Sequence, residues 1–102
     1  MPYVKDRFNV FLRKMSKKGF YQVLQHIDKK GEVHFNDVLN HALSSKMVDS
    51  RSQVISIMNG LTDLGLLERK VSEKRPLRTT YTVSKKGHAV LHHFEQLEKE
   101  VV

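Results

Sequence analysis

The chain has no cysteine. Disulfides and cysteine-ligated zinc are thereby excluded, and a reducing, cytoplasmic setting is expected. No apolar run approaches the ~18 residues of a membrane-spanning helix, and the opening MPYVKDRF lacks the apolar core of a secretory signal. Internal repeats and low-complexity tracts are missing. So are the local signatures of catalysis: there is no GxSxG elbow, no P-loop, no HExxH and no cysteine nucleophile. The expectation is neither an enzyme nor a membrane protein. The 102 residues suffice for one hydrophobic core but not two, so a single domain over 1–102 is expected.

What the chain does have is positive charge, unevenly placed. Eighteen Lys and Arg face eleven Asp and Glu, a net of +7. Residues 67–86 hold seven basic side chains against Glu68 and Glu73, a local net of +5. A second cluster, Arg13, Lys14, Lys17 and Lys18, has no acid between Phe11 and Phe20. A solubility surface is one reading of such charge. Basic residues gathered in patches are also the electrostatic footprint of nucleic-acid binding, and double-stranded DNA is the expected partner.

The stretch from Asp49 to Val83 organises the rest. Ser50 is a good N-cap, and Gln53 stands at the capping-box spacing. Val54, Ile57, Met58, Leu61 and Leu64 recur at i, i+3, i+4, i+7, which predicts a helix over 50–64 with one buried stripe. Gly65 ends it, since glycine takes the left-handed C′ conformation freely. At roughly 100° per residue, Ser52, Ser56, Asn59 and Asp63 line the opposite face, flanked by Arg51, Ile55 and Gly60. Short hydrogen-bonding side chains suit close approach to base edges in a major groove. A solvated face that happens to be serine-rich is the alternative.

A strand over Leu66–Val71 follows, then a turn at Glu73-Lys74-Arg75-Pro76 and a returning strand, Thr79–Val83, rich in β-branched and aromatic residues. Lys74, Arg75 and Arg78 make the turn cationic. A helix followed at once by a basic-tipped hairpin is the layout of a winged helix-turn-helix, in which the helix enters a groove and the wing touches backbone.

These residues resemble a known family. GEVHFNDVL, SRSQVISIMNGLTDLGLLERK and RPLRTTYTVSKKGHAVL are similar to winged-helix transcription regulators of the HxlR type, and more loosely to MarR, PadR and ArsR regulators. The likeness runs from about Phe20 to Leu97. Its most specific parts are the LGLLER end of the helix and the spacing of Pro76, Arg78, Tyr81, Val83 and Gly87. The resemblance implies a mainly helical α+β fold, a winged helix-turn-helix with a small antiparallel sheet and extra N- and C-terminal helices. It also implies a DNA-binding regulator. HxlR-type proteins usually carry a redox-sensing cysteine near the N-terminus, which this chain lacks.

The remaining segments fit that frame. Val4, Phe8, Phe11, Leu12 and Met15 predict a helix from about Tyr3 to Met15, with more apolar surface than so short a helix can leave in water. Ser16 is expected to cap the next helix, whose stripe is Phe20, Val23, Leu24 and Ile27 and whose stop is Gly31. Glu32–Phe35 reads as a short strand that pairs with the wing. Asn36 is expected to cap a helix over 37–43, burying Val38, Leu39, Ala42 and Leu43. Ser84 caps a final helix on which Val90, Phe94, Leu97 and Val101 form a narrow apolar seam. That seam, with Phe8, Phe11 and Leu12, is the expected dimer surface, so helices 1–18 and 85–102 would hold a homodimer together. Packing of the two helices within one chain is the alternative.

Six histidines raise the question of a metal. His88 and His92 are i, i+4 with Glu95 nearby, but no third ligand stands at a metal-site spacing, and neither metal nor cofactor is expected. Glu95, Glu98 and Glu100 read as helix charge pairing. The expected function is a sequence-specific DNA-binding regulator at the nucleoid. Arg51, Ser52, Gln53, Ser56 and Asn59 are its candidates for the groove, and Lys70, Lys74, Arg75 and Arg78 its candidates for the strand and the wing, 72–79. A winged-helix protein-interaction module and a nonspecific, chromatin-like DNA binder are the alternatives.

Overall fold

The structure is a computed structural model that describes residues 4–102. Their elements run α1 (Val4–Met15), α2 (Phe20–Lys30), β1 (Val33–His34), α3 (Phe35–Ser44), α4 (Arg51–Asp63), β2 (Leu67–Val71), β3 (Thr79–Val83) and α5 (Lys85–Val101). The sheet order is β1-β3-β2, antiparallel throughout. This is the expected α+β winged helix with added terminal helices. The expected start of α1 at Tyr3 lies outside the described residues.

The core is built on α2. Phe20, Val23, Leu24 and Ile27 are all buried, as their spacing requires, and each such side chain contributes about 1.5–3 kcal/mol by leaving water. Val38, Leu39 and Ala42 of α3 and Val54, Ile57, Met58 and Leu61 of α4 close around them. Gly60 sits in the middle of α4 for a packing reason. A Cβ there would lie 2.9 Å from the Phe20 ring, so the ring rests directly on helix backbone.

Three local expectations are corrected. Ser16 does not cap α2; its hydroxyl donates to the Arg13 carbonyl at 2.8 Å and closes the end of α1. Gly19 is the N-cap instead, at φ 92, because a side chain there would collide with Val48 and Ile57 at 2.9 Å. Asn36 does not cap α3. The ladder pairs Val33 with Tyr81 and His34 with Thr80, and the helix starts directly after it, with His34 as N-cap. Leu43 is 39% exposed rather than buried. The chain turns away there, the Met47 and Val48 amides donate to the Ala42 carbonyl at 2.9 and 3.3 Å, and Val48 fills the core instead.

In β3, Tyr81 and Val83 point inward, whereas β2 buries only Leu67. The hairpin beyond Leu67 therefore stands clear of the core as a wing. Ser84 anchors its base. Its hydroxyl donates to the Gly65 carbonyl at 2.6 Å and accepts from the Gly87 amide at 3.0 Å, joining the end of α4 to the start of α5. Gly65 has φ 78, the left-handed stop its position predicts.

Helices α1 and α5 meet through aromatic rings. Phe11 stacks on Phe94 at 5.8 Å, and Tyr21 meets Phe94 edge-on at 5.7 Å. The expected seam on α5 is thus divided. Val90 and Phe94 pack on their own chain, while Leu97 and Val101 remain 55% and 73% exposed.

Candidate nucleic-acid interface

The capping box at the start of α4 forms as its spacing predicts. Ser50 Oγ accepts from the Gln53 amide at 3.3 Å, and Gln53 Oε1 accepts from the amides of Ser50 and Asp49. Gln53 is therefore half-buried with its carbonyl committed to the cap. Ser52, Ser56 and Asn59 are exposed, on the face opposite Val54, Ile57, Met58 and Leu61. Ser52 Oγ lies 3.1 Å from Ser50 Oγ, an exchangeable contact between hydroxyls.

Arg51 is aimed by its neighbour. Its guanidinium lies 5.7 Å from the centre of the Phe35 ring, a cation–π placement that carries it toward the first turn of α3. That turn borders a concavity of about 310 Å³ lined by His34, Phe35, Asn36, Arg78 and Thr79. His34 Nδ1 is 3.3 Å from the Thr79 carbonyl, which holds the turn against the returning strand of the wing. The first turns of α3 and α4 and the wing thus share one surface. The free amides of a helix N-terminus add positive potential to it.

The wing is closed by the Ser72 amide donating to the Arg78 carbonyl at 2.7 Å, and Ser72 Oγ accepts from the Lys74 amide at 3.2 Å. Lys74, Arg75 and Arg78 are all exposed. Lys70 is exposed on β2, opposite Thr80. Of the groove candidates, the structure brings Arg51 to the wing side, leaves Ser52, Ser56 and Asn59 open, and draws Gln53 into the cap. Sequence reasoning missed His34, Phe35 and Asn36 as parts of this surface. The signal was present as His34 and Asp37 at capping-box spacing, with the Asp37 carboxylate accepting from the His34 amide.

The other histidines are engaged locally. His88 Nδ1 lies 2.7 Å from Asp28 Oδ1, and the rings of His92 and His93 meet edge-on. Among the described residues, no three His, Asp or Glu side chains gather as metal ligands. Glu98 accepts from the Tyr21 hydroxyl at 3.1 Å rather than pairing along its helix. No helix of the described residues is long and apolar enough to cross a membrane.

No protein-family model matches this sequence, and no curated protein matches it. Solved structures match its fold. The reduced form of the transcriptional regulator YodB from B. subtilis superposes with a TM-score of 0.74 at 18% identity, covering 97% of this chain and 90% of that one. A putative MarR-family transcriptional regulator from Enterococcus faecalis V583 gives 0.72 at 15%, covering 95% and 84%. A PadR-like transcription factor from Bacteroides fragilis gives 0.72 at 19%, covering 94% and 92%. At these identities the likeness is one of fold, a winged helix of the kind MarR and PadR regulators have.

Proposed function

We propose that this chain is a sequence-specific DNA-binding transcriptional regulator, HxlR-like, acting as a homodimer on the cytoplasmic nucleoid. In this reading α4 lies in the major groove and residues 72–79 lie on the backbone beside it. The observation that carries it is the exposed face of α4. Ser52, Ser56 and Asn59 stand there without long charged side chains among them, with Arg51 and Arg78 beside the shared surface. Asparagine can pair adenine through two hydrogen bonds, and serine serves as donor or acceptor. Cations at the edges suit phosphates, which position the protein without reading sequence.

A dimer through the helices of 1–18 and 85–102 would cover Phe8, Leu12, Leu97 and Val101, which are exposed in the single chain. Two-fold pairing would set two recognition helices about 34 Å apart, one turn of DNA. YodB has been solved both reduced and diamide-treated. This chain has no thiol of its own to oxidise, so its regulation would run through other chemistry.

The deciding measurement compares a site selected from a random library with unselected DNA. Replacing Ser52 and Ser56 together with Ala should weaken the selected site by about 1–3 kcal/mol and barely change unselected DNA. An equal loss on both would place the protein among nonspecific binders.

A further inference from the structure

The basic cluster at 13–18 lies outside both the recognition helix and the wing, yet the fold brings its last two members, Lys17 and Lys18, to the turn before α4. Lys18 Nζ reaches both carboxylate oxygens of Asp49 at 3.0 Å, immediately before the Ser50 cap. Gly19 is pressed against the turn between α3 and α4, where an added Cβ would stand 2.9 Å from Val48 and 3.1 Å from the Met47 carbonyl. Met15, the last residue of α1, is buried. The α1–α2 turn is therefore fixed against the turn that leads into α4. Lys17, Lys18 and Lys46 line one shallow depression there.

We infer that the α1–α2 turn is a third DNA-contacting element, with Lys17 and Lys18 on phosphates flanking the groove that α4 enters. The inference rests on the DNA-binding reading above. A recognition helix meets base edges with its N-terminal residues, so cations seated beside that terminus face the adjoining backbone. Phosphate is the chemistry a compact ammonium group binds as a point charge. Asp49 is the acid that pairs with this patch among the described residues. The Lys18–Asp49 pair does not hold Lys18 back, since both side chains are more than half exposed and such pairs contribute little. On DNA, Lys18 exchanges the Asp49 carboxylate for a phosphate.

The test is a salt titration of binding to a random-sequence duplex, with wild type, Lys17→Ala/Lys18→Ala, Lys17→Arg/Lys18→Arg and Asp49→Asn. Circular dichroism confirms that each variant is folded. The double alanine variant should bind with a log K against log salt slope shallower by about 1.8 per protomer, or ~0.9 for each phosphate no longer neutralised. The double arginine variant should keep the wild-type slope. Asp49→Asn removes a negative charge from the patch and should tighten binding. Wild-type binding with an unchanged slope in the double alanine variant overturns this inference and leaves the recognition-helix reading standing. Failure of the wild type to bind any duplex overturns that reading, and this inference with it.

Discussion

His26 and His41 lie ring on ring, their centroids 3.8 Å apart and their planes 6° from parallel. Burial lowers the His26 pKa below its ordinary 6.5, and a charge on His41 lowers it further, with Lys30 and Lys29 adding to the effect. The native state thus resists protonation at His26 more than the unfolded chain does. As pH falls below about 6.5 the unfolded chain binds more protons, so this site withdraws stability until the native pKa is passed. The urea midpoint should therefore drop more steeply between about pH 7 and pH 5 in wild type than in His26→Gln. Parallel pH profiles would show that the stack carries no proton linkage. Tyr21 is the opposite case, its pKa pushed up to about 12 by burial and then by its hydrogen bond to Glu98, so its hydroxyl remains a donor. Gly87 makes a steric prediction. A Cβ there would stand 2.2 Å from the Leu66 carbonyl oxygen, a backbone atom, and 2.6 Å from the Val83 side chain. Gly87→Ala should cost about 3 kcal/mol of stability, measured by urea unfolding. A variant as stable as wild type would mean that α5 slides freely on the β2–α4 junction.

At the scale of elements, α4 and β3 are the most legible parts of the chain. Each carries its own stop or start signal together with an unbroken period: Ser50, Gln53 and Gly65 for the helix, alternating Tyr81 and Val83 for the strand. The starts of α2 and α3 depart from the sequence expectation because local cap chemistry competes with tertiary contact. Ser16 and Asn36 are good caps in isolation, but Gly19 must pass under Val48, and the β1 pairing hands the helix its start at His34. The wing is visible in the sequence as an element, and the structure adds that it stands clear of the core. With only Leu67 of β2 in the core, the hairpin holds Lys74, Arg75 and Arg78 in solvent without a packing role. Replacing Arg75 and Arg78 with Ala should therefore leave stability within about 0.5 kcal/mol. It should weaken selected and unselected DNA alike, and flatten the salt slope by about 0.9 for each arginine that neutralises a phosphate. Unchanged affinity and slope would remove the wing from the proposed DNA surface.

At the scale of the whole molecule, the apolar face of α1 and α5 is the feature one chain leaves incomplete. Phe11 and Phe94 satisfy each other within the chain, but Phe8, Leu97 and Val101 are each more than half exposed. Leu97 is well placed for a test because it contributes little to the chain's own core. In a dimer, Leu97→Glu would bury an unpaired carboxylate at a cost of several kcal/mol, so the assembly should come apart instead. Sedimentation should show the variant at half the wild-type mass, still folded. Binding to a palindromic site should fall far more than binding to a half-site, since the two half-sites are no longer engaged by one linked assembly. A wild type that already sediments as a monomer would end the homodimer proposal.

The sequence by itself determined the order of elements, the core stripe of α2, the capping box of α4 and the cationic hairpin, because each depends on residues within one or two turns of each other. Only the tertiary structure decided which surfaces these elements share. Arg51 reaches the wing side through Phe35, His34 meets Thr79, and Lys18 meets Asp49, all pairs distant in sequence. The same holds for the fate of the C-terminal seam. Its period is identical along α5, yet Phe94 finds Phe11 and Tyr21 while Leu97 and Val101 find water. Periodicity states which side of a helix is apolar, and only the placement of its neighbours determines how far along that side the chain can cover itself.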